Sequence, residues 1–177
     1  GLVTFTDEIH DYVPPRRRQG HMHQLVVGLE SQPKTTRTNM RKSLGDMVPI
    51  LKRRGLVVVI SDLLENTESI TSQIAFLRSS GHDVVIFQIL DPAEKNWTFD
   101  ESAVFEDMET GETMQLDPGR ASKDYLEKMT VHQTAIEKTC HGLGIDLIQI
   151  TTDQSFHEPL HLLISLRSSR DRQRRGA

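Results

Sequence analysis

A single cysteine, Cys140, leaves no internal disulfide to form, and a reducing, cytoplasmic setting is the expectation. The chain carries one Trp, two Tyr and six Phe, none of them interleaved with its basic clusters, so no base-stacking platform for single-stranded nucleic acid is indicated. Neither Gly-x-x-x-x-Gly-Lys-[Ser/Thr] nor Gly-x-Gly-x-x-Gly occurs, which removes the usual phosphate-cradling loops. The longest unbroken apolar run is Leu56–Ile60, only five residues and far short of the ~18 that suggest a membrane span. The first residues, Gly-Leu-Val-Thr-Phe, do not read as a secretory signal.

What remains is 177 residues, enough for one domain with a small insertion. AVILMFWYC make up 36 %, and the 11 glycines raise the apolar share to roughly 42 %, sufficient for a folded core. The 21 basic and 25 acidic residues give a net charge of −4. From Arg167 to Ala177 five arginines face one aspartate, a local +4 on a body of −8. Such a terminus is expected to be a solvated, disordered tail over 168–177, and not a nucleic-acid site.

Three stretches read as strands of a parallel sheet covered on both faces: Leu56–Ile60, Val84–Leu90 and Asp146–Ile150. Helical periodicity precedes each one. Met40, Leu44, Met47, Val48 and Leu51 share a face, as do Ile70, Ile74 and Leu77. The clearest stripe is Tyr125, Met129, His132, Ile136, Cys140 and Leu143. Gly81 and Gly142 are placed to cap the last two helices, and Pro49 predicts a kink or early break in the first. A strand pair is expected at Gly1–Phe5 and Ile9–Val13, turning at Asp7-Glu8, then a short helix through Met22, Leu25, Val26 and Leu29. A β-hairpin around Thr110-Gly111 is expected within an insertion at about 97–117, and a last helix from near Pro159. The pattern is α/β.

Ligand sites of such sheets lie at the carboxyl ends of the strands. Asp62, Asp91 and Asp153 fall there, with Thr38 ahead of the first long helix. Carboxylate and hydroxyl oxygens suit Mg²⁺. Each residue also has a plain structural role open to it: Asp62 can cap a loop, Asp91-Pro92 can open a turn, and Asp153 and Ser155 can cap the last helix. Three other constellations are weaker. His21-Met-His23 with His10 reads as an exposed loop and helix start and not as a metal site. Cys140 fits a core-facing helical position better than a reactive thiol. Arg16–Arg18 could meet an acidic partner or a phosphate.

Several motifs together carry a family resemblance: "GLVTF", Pro14-Pro15, "RRGLVVVISDLL" at Arg53–Leu64, "GHDVVIFQILDPAE" at Gly81–Glu94, "FEDMETGE" at Phe105–Glu112 and Tyr125-Leu126. Over residues 1–167 the chain resembles the domain of unknown function 58 family, which is von Willebrand factor A-like. The resemblance implies a Rossmann-like sheet with helices on both faces and a metal-ion-dependent adhesion site at its carboxyl edge. Thr38 and Asp62 match two ligand positions of that site. The Asp-x-Ser-x-Ser loop has no counterpart, and neither does the first central strand that precedes it, so weak or no Mg²⁺ binding is expected. The strand's absence is expected to leave a gap beside Leu56–Ile60. That gap is closed by direct pairing with Gly1–Phe5, by another chain such as a dimer partner, or by an upstream segment of a longer protein, the last being the preferred reading. The family's association with MoxR-type AAA ATPases implies an adaptor or co-chaperone that binds protein, with Ser61, Asp91 and Asp153 on the partner-facing rim and no catalysis of its own. The alternative is a Mg²⁺-dependent hydrolase built on Asp62, Asp91 and Asp153.

Overall fold

A computed structural model of the chain describes residues 1–6, 8–31, 45–47, 49–51, 53–97, 104–106, 113–115 and 118–175. Strand β1 (Leu2–Phe5) pairs antiparallel with β2 (Ile9–Val13), Leu2 opposite Val13, with a bulge between Thr4 and Phe5. Helix α1 (His21–Glu30) packs on this hairpin. Residues 45–47 are helical and Pro49–Ile50 form a turn, which agrees with the break expected at the proline. Most of the helix expected over Met40–Leu51 lies outside the described residues.

The three β-branched runs form the sheet β3–β4–β7, with β3 at Leu56–Ser61, β4 at Asp83–Leu90 and β7 at Asp146–Thr151. Both pairings are parallel, Val57 beside Val84 and Ile86 beside Leu147. Helix α2 (Thr67–Ser79) connects β3 to β4. Its first turn is capped by Asn66, which accepts from the amides of Glu68 and Ser69 at 3.0 and 3.2 Å. Gly81 ends the connection with φ of 85°, a left-handed conformation that costs glycine nothing. After β4 come the short α3 (Pro92–Asn96) and a strand pair, β5 (Val104–Glu106) with β6 (Thr113–Gln115), Phe105 opposite Met114. This pair sits where the inserted hairpin is expected; its turn at Thr110-Gly111 lies outside the described residues. Helix α4 (Pro118–Leu143) then returns the chain to β7, and α5 (His157–Arg175) completes it.

Alternation along each strand splits the core in two. Val59, Val84 and Ile86 face α2 and α4, where Ile70, Ile74, Leu77, Ile136 and Cys140 join them. Val3, Phe5 and Ile9 of the first hairpin pack against the same cluster. On the opposite face Val85, Phe87, Ile148 and Ile150 form a smaller cluster with Leu163 of α5. Arg167 of α5 clamps the amino edge of the sheet. Its Nη1 meets Asp83 Oδ2 at 2.8 Å and its Nε meets Asp146 Oδ2 at 3.1 Å. Burial alone would lower the guanidinium pKa, but the bonds and charges of the two aspartates more than offset this and raise it.

The last helix starts at His157, which places Pro159 in its first turn as expected, and Ser155 Oγ accepts from the His157 amide at 3.4 Å. Three expectations require correction. Gly142 does not end its helix: α4 runs to Leu143, and the left-handed residue is Gly144 at φ 66°. The arginine-rich end is no separate disordered tail, since α5 continues to Arg175. Finally, the sheet is not covered on both faces along its whole width. Leu56, Val58 and Ile60 of β3 stand 55, 46 and 67 % exposed, because α5 covers only the β4–β7 half of that face. The first hairpin does not pair with β3, so among the described residues β3 has a neighbour on one side only.

Candidate functional site

The carboxyl edge of the sheet is built from the three strand ends. Parallel register sets Ser61 beside Gln88, and Leu90 beside Thr151. The segment after each strand therefore emerges on the same edge: Ser61–Leu64, Asp91 and Thr152–Asp153.

The loop after β3 is the most constrained of these. Ser61 Oγ donates to Asp62 Oδ1 at 3.3 Å and accepts from the Leu63 amide at 3.1 Å. Asp62 Oδ1 also accepts from the Leu64 amide at 3.3 Å, closing an Asx turn. Leu63 adopts φ of 57°, unusual for a side-chain-bearing residue, while its side chain is only 1 % exposed. Packing and two polar anchors offset the backbone cost. Gln88, fully buried on β4, donates from Nε2 to the Asp62 carbonyl at 2.9 Å. His132 of α4 bonds through Nε2 to the Leu63 carbonyl at 2.6 Å and through Nδ1 to Thr67 Oγ1 at 2.7 Å. A carbonyl only accepts, so Nε2 carries a proton and donates to it, while Thr67 Oγ1 engages the other ring nitrogen.

The other two strand ends are simpler. Asp91 caps α3: Oδ1 accepts from the Ala93 amide at 2.8 Å, and Glu94 Oε2 returns the favour to the Asp91 amide at 2.8 Å. Its Oδ2 accepts from Thr152 Oγ1 at 3.3 Å, tying the β4 and β7 ends together. Asp153 is exposed beside it. Behind the edge, Gln149 Nε2 reaches Gln88 Oε1 at 3.2 Å and Gln133 Oε1 at 2.9 Å. Gln133 and Gln149 line a cavity of about 320 Å³ with Leu90, Lys95 and Met129. Tyr125 packs tilted against Trp97, ring centroids 4.9 Å apart, and its hydroxyl pKa is raised by burial and then by Glu94.

Of the two residues expected as metal ligands, Thr38 lies outside the described residues, and Asp62 is exposed with one oxygen committed to its own loop. Ser61 adjoins Asp62, as the pair Ser-Asp requires, but Asp91 is committed to its helix cap. Among the described residues no three His, Cys, Asp or Glu side chains gather closely enough to hold a metal. The residues that shape the edge without being expected to are Gln88, His132 and Gln149. The sequence does carry a signal for the first two. Gln88 is the one polar residue inside Val84–Leu90, and His132 the one polar residue on the apolar stripe of α4. Cys140, on that same stripe, is 1 % exposed, and burial followed by Glu137 pushes its thiol up to about 11. A thiolate nucleophile requires the opposite surroundings.

Among the described residues no helix is long and apolar enough to cross a membrane. Comparison with known proteins finds Uncharacterized protein Rv1480 of Mycobacterium tuberculosis, 25 % identical over 150 residues that cover 81 % of this chain and 46 % of the relative. Uncharacterized protein Mb1516 of Mycobacterium bovis matches over the same length with the same identity. The chain thus spans about half the length of these relatives. Uncharacterized protein MAV169 of Mycobacterium avium is 24 % identical over 149 residues, 80 % of this chain and 86 % of its own. No solved structure matches significantly. A family model described as "Protein of unknown function DUF58" matches residues 1–135, the greater part of the chain, and the protein belongs to that family.

Proposed function

We propose that this chain is a protein–protein interaction module of von Willebrand factor A type, acting as adaptor or co-chaperone to a MoxR-type AAA ATPase. One observation carries the reading. The sheet stops at β3, whose second edge is unpaired among the described residues, and Leu56, Val58 and Ile60 present a contiguous exposed apolar row beside it. An apolar patch next to a bare strand edge is the surface that partner binding by strand addition uses. The carboxyl-edge rim of Ser61, Asp91 and Asp153 supplies acidic and hydroxyl groups next to that row, with Asp62 as a remnant of a metal-ion-dependent adhesion site. Strand addition gives affinity through main-chain bonds, and the rim gives selectivity through charge.

The test uses the purified chain and a purified MoxR-type AAA ATPase in sedimentation velocity, with ATP turnover followed in parallel. Association by the wild type and its loss in V58K/I60K, at unchanged melting temperature, is the expected outcome. No association at micromolar concentrations, or equal association by the variant, refutes the reading.

A further inference from the structure

Away from the sheet edge, the start of α1 opens into a cavity of about 490 Å³ whose walls include Tyr12, Arg16, Arg18, His21, His23 and Gln24. The sequence suggested an exposed loop and helix start here; instead His21 is 9 % exposed. Both of its ring nitrogens are buried, and neither has a hydrogen-bond partner among the described residues. A buried imidazole that bonds to nothing bears its full desolvation cost, and that calls for an account.

The helix end beside it is equally unprovided for. The N-cap is Gly20, at φ 78°, a conformation glycine adopts at little cost but with no side chain to offer the helix end. No side chain caps α1, and its first turn carries no acidic residue. The His21 amide bonds back to the Arg18 carbonyl at 3.2 Å, and the first helical bond is Gln24 amide to Gly20 carbonyl at 3.3 Å. The Met22 and His23 amides lie between these two, at the positive end of the helix dipole. Arg18 bonds from Nη2 to Gln24 Oε1 at 3.0 Å. Arg16 also lines the cavity, and among the described residues no acidic side chain does.

We infer that this cavity binds the phosphoryl group of a small phosphomonoester, held by the first-turn amides of α1, Arg16 and Arg18, with His21 as the buried donor behind them. A helix N-terminus and two guanidinium groups at one cavity match a dianionic tetrahedral group better than a planar carboxylate. Tyr12 and Val27 supply an apolar flank for the organic part of the ester.

The experiment is a ¹⁵N-detected NMR titration of the wild-type chain with inorganic phosphate and, separately, with phenyl phosphate, against sodium chloride at matched ionic strength. Saturable shifts confined to Gly20–Gln24 and to the Arg16 and Arg18 side chains are expected, with a Kd on the order of 1 mM for inorganic phosphate and tighter binding of phenyl phosphate. R16Q/R18Q, which changes only exposed side chains, is expected to weaken binding about tenfold or more with the apo spectrum otherwise preserved. H21L is expected to raise the melting temperature of the free chain, because a buried unpartnered ring is removed, while lowering phosphate affinity. Linear shifts spread over all arginine-rich segments, undiminished affinity in R16Q/R18Q, or unchanged affinity in a folded H21L would overturn the proposal. Binding of inorganic phosphate with none of phenyl phosphate would overturn its assignment to an ester.

Discussion

Replacing Arg167 by methionine keeps the stem of the side chain and deletes only the guanidinium, so it isolates the clamp at the amino edge of the sheet. The two halves of that clamp are unequal. Asp83 has a side chain 57 % exposed, and an ion pair to so wet a carboxylate contributes about 0–1 kcal/mol. Asp146 has a side chain 2 % exposed, and removing the cation that faces it takes away the guanidinium that offsets burial of its charge. Breaking one partner out of a buried pair costs about 3–5 kcal/mol. The Asp146 half therefore decides the outcome, and a loss of about 3 kcal/mol is expected. For a chain of this length each kcal/mol moves the melting temperature by about 2–4 °C, so R167M is expected to melt about 6–12 °C lower. Thermal unfolding followed by circular dichroism reads this directly. Adding D146N to R167M removes the buried charge and is expected to restore most of the loss, giving a coupling energy above about 1 kcal/mol in the double-mutant cycle. A drop of only a degree or two in R167M, or a double variant as unstable as the single one, would show that the buried charge is not what Arg167 balances.

Three further outcomes follow from the site. H132F leaves the Leu63 carbonyl without its donor, at a cost of about 1–3 kcal/mol, and is expected to speed proteolysis within the 61–66 loop; unchanged cleavage there contradicts the anchoring role. The Cys140 thiol binds its proton more tightly folded than unfolded, so its contribution is complete below pH 9 and is lost as pH rises toward about 11. Denaturation between those values is expected to show wild type losing stability relative to C140A, and parallel pH profiles would contradict the assigned burial effect. Millimolar Mg²⁺ is expected to leave the melting temperature unchanged, since a ligand that binds only the folded state must raise it; a rise of several degrees would mean that Thr38 and Asp62 complete a site after all.

Helices and strands were legible where one side of the element repeats a simple pattern. Val84–Leu90 reads as a buried strand because both faces are covered, and the structure extends it by one residue to Asp83. The run Leu56–Ile60 looks the same on paper, yet alternate residues stand in solvent. Composition cannot distinguish an apolar face covered by the chain's own helix from one left bare, because the covering element is remote in sequence. Polar anchors posed a different problem. Gln88 and His132 interrupt apolar patterns, which marks them as buried, but their partners, the carbonyls of Asp62 and Leu63, are 26 and 69 residues away. Main-chain acceptors leave no trace in the identity of the residue that owns them. Asp91-Pro92 reads in the sequence as a turn opener; the structure makes Asp91 a helix cap, a role whose signal, Glu94 three residues on, lies within four residues.

The bare edge of β3 also bears on how the chain reaches its fold. Leu-Val-Val-Val-Ile is a short segment of high β-propensity without proline, the kind that self-associates when it waits unpaired. Its ladder partner among the described residues, β4, begins beyond a whole intervening helix, and the pairing is parallel, so closure is slow compared with local structure. Exposed Arg53 and Arg54 before the run and Asp62 just past its end act as charged gatekeepers that oppose stacking of one copy on another. They sit outside the ladder, where charge costs the native sheet little. Refolding yield is therefore set by concentration and salt: dilute, low-salt conditions keep the flanking charges effective, and screening them hands the strand to its neighbours.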